Sequence, residues 1–443
     1  MFSPAAGAAK EASALLAGDT RNFPGGVVSE FGRLIGERGL SHLRGIIRSL
    51  RGAQADRAYF ENIMWGLPKA SIDKRGNPYT PMLTLHDGRK TQEIHLRKIG
   101  GGSYGTIYTD QTGVAYKEVT YGRQEADGSW TEGNHISYEE FCREFFLEAL
   151  VQVLLHNDPD MGNRVGKLEG IYADNRIRRG TAPHLGLTFF FRMERIPYTL
   201  ESYVAQHGDS PTFCSRLGNV FSGKRGVTNL LSACGNKYMS LKQGIEKFTQ
   251  LGQTLAHFAL RYGFKHRDLH QANVMFDAHG NIKIIDFGMA CLDFGGGDVY
   301  AVSDPACVSC DLLIYMSSIY ENDSKREEIR LPPLFSDELY DWIHNTMNHK
   351  GVNVYDFFID DDLKKSRATG NPPSPVFHHF YSFSDLYTLL QNDSLPPILC
   401  DPAQFVAFIK SQGGGGRHTR RQSQNSKQKH SRRNKKPKQK RRQ

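Results

Sequence analysis

Lys265-His266-Arg267-Asp268-Leu269-His270-Gln271-Ala272-Asn273-Val274-Met275-Phe276, a turn at His279-Gly280-Asn281, and then Ile282-Lys283-Ile284-Ile285-Asp286-Phe287-Gly288 form the stretch that decides the fold. Asp268 is followed five residues later by Asn273 and eighteen later by Asp286, with two short apolar strands and a tight turn between them. A strand-turn-strand of that length folds back on itself and brings two carboxylates and an amide onto adjacent segments. Phosphoryl transfer needs that set: one carboxylate to orient the attacking hydroxyl, and an Asp and an Asn to hold the metal ions that bridge the phosphates. A second Asp293-Phe294-Gly295 follows at once. It lacks the apolar lead-in and reads as a decoy.

Upstream, Ile99-Gly100-Gly101-Gly102-Ser103-Tyr104-Gly105-Thr106-Ile107-Tyr108 fits G-x-G-x-x-G, with alternating residues on either side. Glycines let backbone amides approach a polyphosphate closely. Dinucleotide folds place a helix after the last glycine, whereas Thr106-Ile107-Tyr108 continues as a strand, so the pattern reads as a nucleotide-covering flap. Val114-Ala115-Tyr116-Lys117 falls on the next strand and offers an ammonium to the phosphates. The following helix carries Glu139, Glu140, Glu144 and Glu148 as ion-pair partners. Glu148, beside the apolar Phe145-Phe146-Leu147 face, is the favoured one, with Glu144 in reserve.

These residues resemble the protein kinase family over roughly Ile94 to Lys410. The resemblance implies an α+β, bilobal fold with a small antiparallel-sheet N-lobe, one key helix and a larger helical C-lobe. It implies Asp268 as catalytic base, with Lys117, Glu148, Arg267 and His270 around it, Asn273 and Asp286 as metal ligands, and ATP and Mg2+ as cofactors. ATP would meet Ile99 to Ile107, Lys117, and a hinge at Met193, Glu194 and Ile196, with Met193 as gatekeeper. Protein substrates follow, phosphorylated on serine or threonine.

Three features depart from the family pattern. His270 stands where serine/threonine kinases carry lysine, which resembles haspin-like kinases and also small-molecule phosphotransferases of the aminoglycoside and choline type. Only 22 residues separate Gly288 from Asp311, without Ala-Pro-Glu, and their hydroxyls are Tyr300, Ser303 and Ser309. Asp293, Asp298 or Asp304 are carboxylates that could pair with Arg267 in place of a phosphate. Ala205 to Ser240 reads as an insertion. A phosphotransferase acting on small molecules and a pseudokinase scaffold are the alternative readings.

Further outward, residues 1–26 are Ala/Gly/Ser-rich and read as disordered. Residues 27–81 read as a helical N-terminal extension, because Leu34, Ile35, Leu40, Leu43, Ile46, Ile47 and Leu50 recur at helical spacing between arginines. That apolar face is expected to pack on its own domain. Strands are expected from Met82, with Asp87-Gly88 as a hairpin turn. The kinase N-lobe is bounded at 82–196 and the C-lobe at 197–411, with helices over Tyr138–His156 and Leu241–Tyr262 and a strand over Leu187–Met193. A disordered basic tail, 412–443, closes the chain.

The whole carries 56 Lys+Arg against 47 Asp+Glu, but 13 of the cations lie between Gly413 and Gln443, where there is no acid. The body is therefore mildly acidic and the tail polycationic. Such a tail binds polyanions by counterion release, which points to nucleic acid and to the nucleus. A compact divergent kinase with such a tail also resembles in style the kinases of large DNA viruses, which implies virion association. No run of eighteen apolar residues occurs, so no membrane span is readable. The reading is an intracellular monomer. Seven cysteines, an odd and sparse set, read as reduced thiols, including Cys307-x-x-Cys310.

Overall fold

The computed structural model describes residues 27, 30–35, 64–87, 90–102, 105–124, 130–131, 137–174, 186–210, 237–294, 299–301, 307–328, 331–349, 352–353 and 395–413. The expected disordered amino terminus, most of the helical extension, the interior of the Ala205–Ser240 insertion, Ser103, Tyr104 and nearly all of the basic tail lie outside them.

One sheet dominates the first half. Its strands are β1 (Lys69–Asp73), β2 (Met82–Asp87), β3 (Lys90–His95), β4 (Arg97–Gly102), β5 (Gly105–Thr109), β6 (Ala115–Thr120), β7 (Leu168–Asp174) and β8 (Thr188–Met193). They pair in the order β3-β2-β1-β7-β8-β6-β5-β4. All pairs are antiparallel except β1 with β7. The small antiparallel sheet expected from sequence is thus corrected to a mixed sheet of eight strands, and the expected helical extension contains a strand, β1. Lys69-Ala-Ser-Ile-Asp73 is short and weakly alternating, so only its long-range pairing with β7 reveals it.

The edge strands β3 and β4 are consecutive in the chain, joined by Leu96 alone. A sheet whose two edges are one residue apart has to curl. Its concave side holds a core of its own, with Ala70, Leu83, Leu85, Ile94, Leu96, Tyr108, Tyr116 and Phe190. The convex side packs on helices, and Phe189-Phe190-Phe191 divides between the two faces as strand alternation requires. Phe190 points inward; Phe189 and Phe191 meet Phe145, whose ring stacks on Phe191 at 4.4 Å.

Helix α1 (Tyr138–His156) starts where Ser137 and Glu140 cap each other's backbone N–H. Helix α2 (Leu200–His207) is capped by Thr199. Helix α3 (Leu241–Tyr262) has the same capping box, from Ser240 and Gln243, and ends on Gly263 with φ +59°. A side chain there would be strained by that φ and would also strike the Asp293 carbonyl, 1.7 Å from the position of a Cβ. Helices α4 (Asp311–Glu328), α5 (Asp337–Thr346), a short helix at Pro397–Cys400 and α6 (Pro402–Gly413) follow, with α6 against α3. One continuous apolar core joins α1, β7, β8, α3, α4 and α6. The helical stretch at 30–35 packs into it through Phe31, Leu34 and Ile35, while Arg33 pairs with Glu30 at the surface. Among the described residues, no helix is long and apolar enough to cross a membrane.

The insertion leaves and returns at one point. Asp209 and Tyr238 exchange both backbone hydrogen bonds, at 2.8 and 3.1 Å.

Four cysteines are paired, as Cys291–Cys307 and Cys310–Cys400. This corrects the expectation of reduced thiols for these positions; the pairs lie 16 and 90 residues apart, and spacing along the chain does not reveal partners brought together by folding. Cys142 is buried in the core beside Phe141 and Phe145.

Candidate active site

Strand alternation on β6 turns Lys117 away from the curled sheet's interior and toward α1. Its ammonium contacts Glu148 Oε1 at 2.7 Å and Asp286 Oδ1 at 2.8 Å. The helix, the strand and the Asp-Phe-Gly segment therefore meet on one buried cation. Burial works against the charge of Lys117, yet Asp286 and Glu148 outweigh it and hold the group protonated. For Asp286 burial is likewise opposed by Lys117, which keeps the carboxylate below its ordinary range. Burial pushes Glu148 up to about 7 despite the adjacent ammonium. Glu144, the reserve partner, is also pushed up to about 7, by burial and by Glu140, while the Lys117 ammonium goes to Glu148.

Asp286 has φ +62° and Arg267 φ +68°, left-handed conformations that are costly for side chains with a Cβ. Both are over-determined by their surroundings. The backbone N–H groups of His266 and Arg267 donate to the two oxygens of Asp311, at 2.9 and 2.8 Å, and Ser309 donates to the same carboxylate. His266 is buried, and its Nε2 meets the Ile285 carbonyl at 3.0 Å, tying the loop to the residue before Asp286. Strands β9 (Val274–Phe276) and β10 (Ile282–Ile284) pair in register, and Ile285 N–H donates to the Asn273 carbonyl at 3.0 Å. The expected strand-turn-strand is what sets Asn273 beside Asp286.

Within the loop, Asn273 Nδ2 donates to the Asp268 carbonyl at 2.8 Å. His270 Nδ1 accepts the Ala272 N–H at 3.2 Å, which leaves Nε2 as the protonated ring nitrogen, 3.8 Å from Asp268 Oδ1. Burial lowers the His270 pKa. Gly288 closes the cluster: a Cβ there would lie 3.4 Å from Glu148 Oε2 and 3.7 Å from Asp286 Oδ1.

The glycine hairpin is formed by β4 and β5. Gly105 has φ +143°, and a Cβ on it would come within 2.1 Å of the Glu118 carbonyl, so the fold itself demands glycine. Gly100 is different. A Cβ there would meet only Ile107 Cβ, at 4.0 Å, so no neighbour within the protein excludes a side chain. Ile99 is more than half exposed beside it. Gly100, Gly101, Gly105, Thr106, Lys98, Ile99 and Tyr79 line an open hollow of about 580 Å³ along this hairpin.

Met193 ends β8 half-buried. Glu194 N–H donates to the Lys167 carbonyl at 2.9 Å, and its carboxylate pairs with Lys283 at 2.7 Å. Ile196 and Ile285 converge on Gly166, 3.3 and 3.1 Å from the position of its Cβ, and make an apolar floor between the hinge and Asp286. Of the carboxylates considered for Arg267, Asp298 and Asp304 lie outside the described residues. Sequence reasoning missed Asp311 as the anchor of this loop, Ser309 beside it, and Gln152, which donates to the Gly166 carbonyl at 2.9 Å. Their signals are single polar residues flanking apolar helical runs, which have many other readings.

The sequence of residues 221–301 matches the family model of the protein kinase domain. No curated protein matches the chain.

Proposed function

We propose that the chain, whose residues 221–301 match the protein kinase domain, transfers the γ-phosphate of ATP to protein hydroxyls, chiefly of serine and threonine, using two lobes that meet at Lys117. The observation that carries this reading is the ammonium of Lys117 held between Glu148 and Asp286, at 2.7 and 2.8 Å. One cation faces two carboxylates, Glu148 buried and Asp286 partly exposed, and such a cluster favours a further cation on the open side. The donor set fits Mg2+: Asp286 supplies a carboxylate, and Asn273, whose Nδ2 is committed to the Asp268 carbonyl, presents its amide oxygen. Bound there, Mg2+ would neutralise charge on the phosphates.

The chain's own groups supply the rest. Asp268 accepts the proton of the attacking hydroxyl. His270, its Nε2–H directed toward Asp268, steadies that carboxylate. Lys117 binds phosphate oxygens, and Gly100 to Gly102 admit them to backbone N–H groups because Gly100 has no neighbour but Ile107 to fill its space. The base stacks on the apolar floor of Ile196 and Ile285 and meets the Glu194 carbonyl, the N–H of that residue being spent on Lys167.

Incubation of the purified chain with radiolabelled ATP, generic protein substrates, choline and aminoglycosides tests the reading. Label in protein at serine or threonine is the expected result. Label in the small molecules alone would move the chain to the small-molecule phosphotransferases, and binding of ATP with no transfer to any acceptor would make it a scaffold.

The basic tail is proposed to bind nucleic acid, by its 13 cations, and to favour a nuclear or virion location for a monomeric enzyme. Deleting 413–443 is expected to abolish salt-sensitive binding to DNA and RNA; equal affinity of full-length and truncated chains at low salt refutes it.

A further inference from the structure

Glu118 follows Lys117 on β6 and faces the opposite way, into the interior of the curled sheet. It is 4% exposed. A buried carboxylate is costly unless it is paired and hydrogen-bonded, and this one is both. Lys74 Nζ reaches its two oxygens at 2.7 and 2.8 Å, and the Tyr108 hydroxyl donates to Oε2 at 2.9 Å. Burial and Glu118 together push the Tyr108 pKa far up, so the phenol stays a donor. The Lys74 ammonium also stands 5.9 Å from the centre of the Tyr108 ring.

The three partners come from different parts of the sheet. Lys74 follows β1 and belongs to the added strands β1–β3. Tyr108 is on β5, the return strand of the glycine hairpin. Glu118 is the immediate neighbour of Lys117. Its backbone is bound to the same hairpin: Glu118 stands opposite Thr106, and its carbonyl is the atom against which Gly105 is packed. One residue therefore grips the root of the glycine hairpin by main chain and side chain, one peptide away from the lysine that the hairpin is to cover.

We propose that Glu118 is a positioning residue for the nucleotide flap, locked in place by Lys74 of the added strands, so that strands β1–β3 set the height of the flap over Lys117. This rests on the nucleotide-binding reading given above. Glu118 touches neither nucleotide nor acceptor; it acts through Tyr108 and the β5 backbone. Contacts between flap and phosphates are made in the ground state and the transition state alike, so loosening the flap raises the ATP KM and leaves kcat nearly unchanged.

The test is a set of variants measured by titration with a fluorescent ATP analogue, by steady-state kinetics and by thermal melting. Lys74→Met strands the buried carboxylate and is expected to weaken nucleotide binding about tenfold, with kcat at saturating ATP within about twofold. Lys74→Met combined with Glu118→Gln removes the stranded charge and is expected to recover binding to within about threefold of wild type. Tyr108→Phe leaves the ring in the core and removes one hydroxyl; it is expected to weaken binding about threefold and decides the matter if Lys74→Met does not fold. Lowered melting temperatures with unchanged nucleotide affinity in Lys74→Met and Tyr108→Phe would overturn the proposal, since a merely structural bridge predicts that pattern. If the wild-type chain binds no nucleotide, the functional reading fails first and this inference with it.

Discussion

Replacing Lys117 by Met removes the only charge between Glu148 and Asp286 among the described contacts. Both carboxylate oxygens lie within 2.8 Å of one nitrogen, so they are at most about 5.5 Å apart. At an effective dielectric constant of about 20, two unit charges at that distance repel by about 3 kcal/mol. Stranding one partner of a buried pair costs about 3–5 kcal/mol, which corresponds to a fall in melting temperature of roughly 3–5 °C for a chain of this size. The deficit depends on pH. In the wild type Glu148 titrates near 7 in the folded chain, above its ordinary 4.5, so between those values the folded state holds a proton that the unfolded state releases. Its protonated form therefore favours folding at low pH, and this contribution is lost as pH rises through 7. Without Lys117 the carboxyl holds its proton still higher, and the variant keeps losing stability, relative to wild type, above pH 7 at up to about 1.4 kcal/mol per pH unit. Differential scanning fluorimetry of both proteins at pH 6 and pH 8 measures the difference, and the gap is expected to widen at pH 8 by about 1–2 °C. A gap equal at the two pH values, or none, refutes the reasoning, because the two carboxylates would then not face each other across the lysine.

Asp268→Asn is expected to lower phosphotransfer at least a hundredfold while ATP affinity by calorimetry stays within about twofold, since the amide keeps the shape but accepts no proton; Asp286→Asn is expected to weaken Mg-ATP binding instead. Ser309→Ala removes a buried donor from Asp311 and is expected to cost about 1 kcal/mol by urea denaturation. Ser309→Asp is expected not to recover it, because this serine serves the loop anchor and is not a phosphate acceptor. Cys307→Ser opens a loop of 16 residues, and the chain-entropy argument puts the loss at about 3 kcal/mol. Dithiothreitol, which also opens Cys310–Cys400, is expected to lower the melting temperature of the wild type further than the substitution alone does and to lower that of the variant as well.

Elements set by neighbouring residues were legible before the structure. Helices α1 and α3 run over the residues expected for them, because Ser137 with Glu140, and Ser240 with Gln243, are local signals that act within one turn. Strands β2 and β3, expected on either side of a tight turn, pair antiparallel from Met82 with His95 to Asp87 with Lys90. The constellation around Asp268 was also legible, since β9, its turn and β10 carry Asn273 to Asp286 by local pairing alone.

The illegible part is everything that depends on distant segments meeting. In the short segment before Asp311 the sequence shows three hydroxyls but not that Tyr300 is fully buried or that Ser309 is turned onto Asp311. Neither burial nor direction is written in a short polar sequence. The same holds for the disulfides and for β1, whose parallel partner β7 lies about a hundred residues away. Glu118 shows the limit most sharply. Beside Lys117 it reads as one more strand carboxylate, exposed by the usual alternation of charge and apolar residue. The curl of the sheet reverses that reading, because a face that would be solvated in an open sheet becomes an interior when the edges β3 and β4 are joined by a single residue. A carboxylate kept there demands a cation, and the chain supplies it from Lys74, 44 residues upstream. A pair with that separation leaves no periodicity to detect, yet once the sheet is closed Glu118 depends on it, since without Lys74 it would be a buried, uncompensated charge.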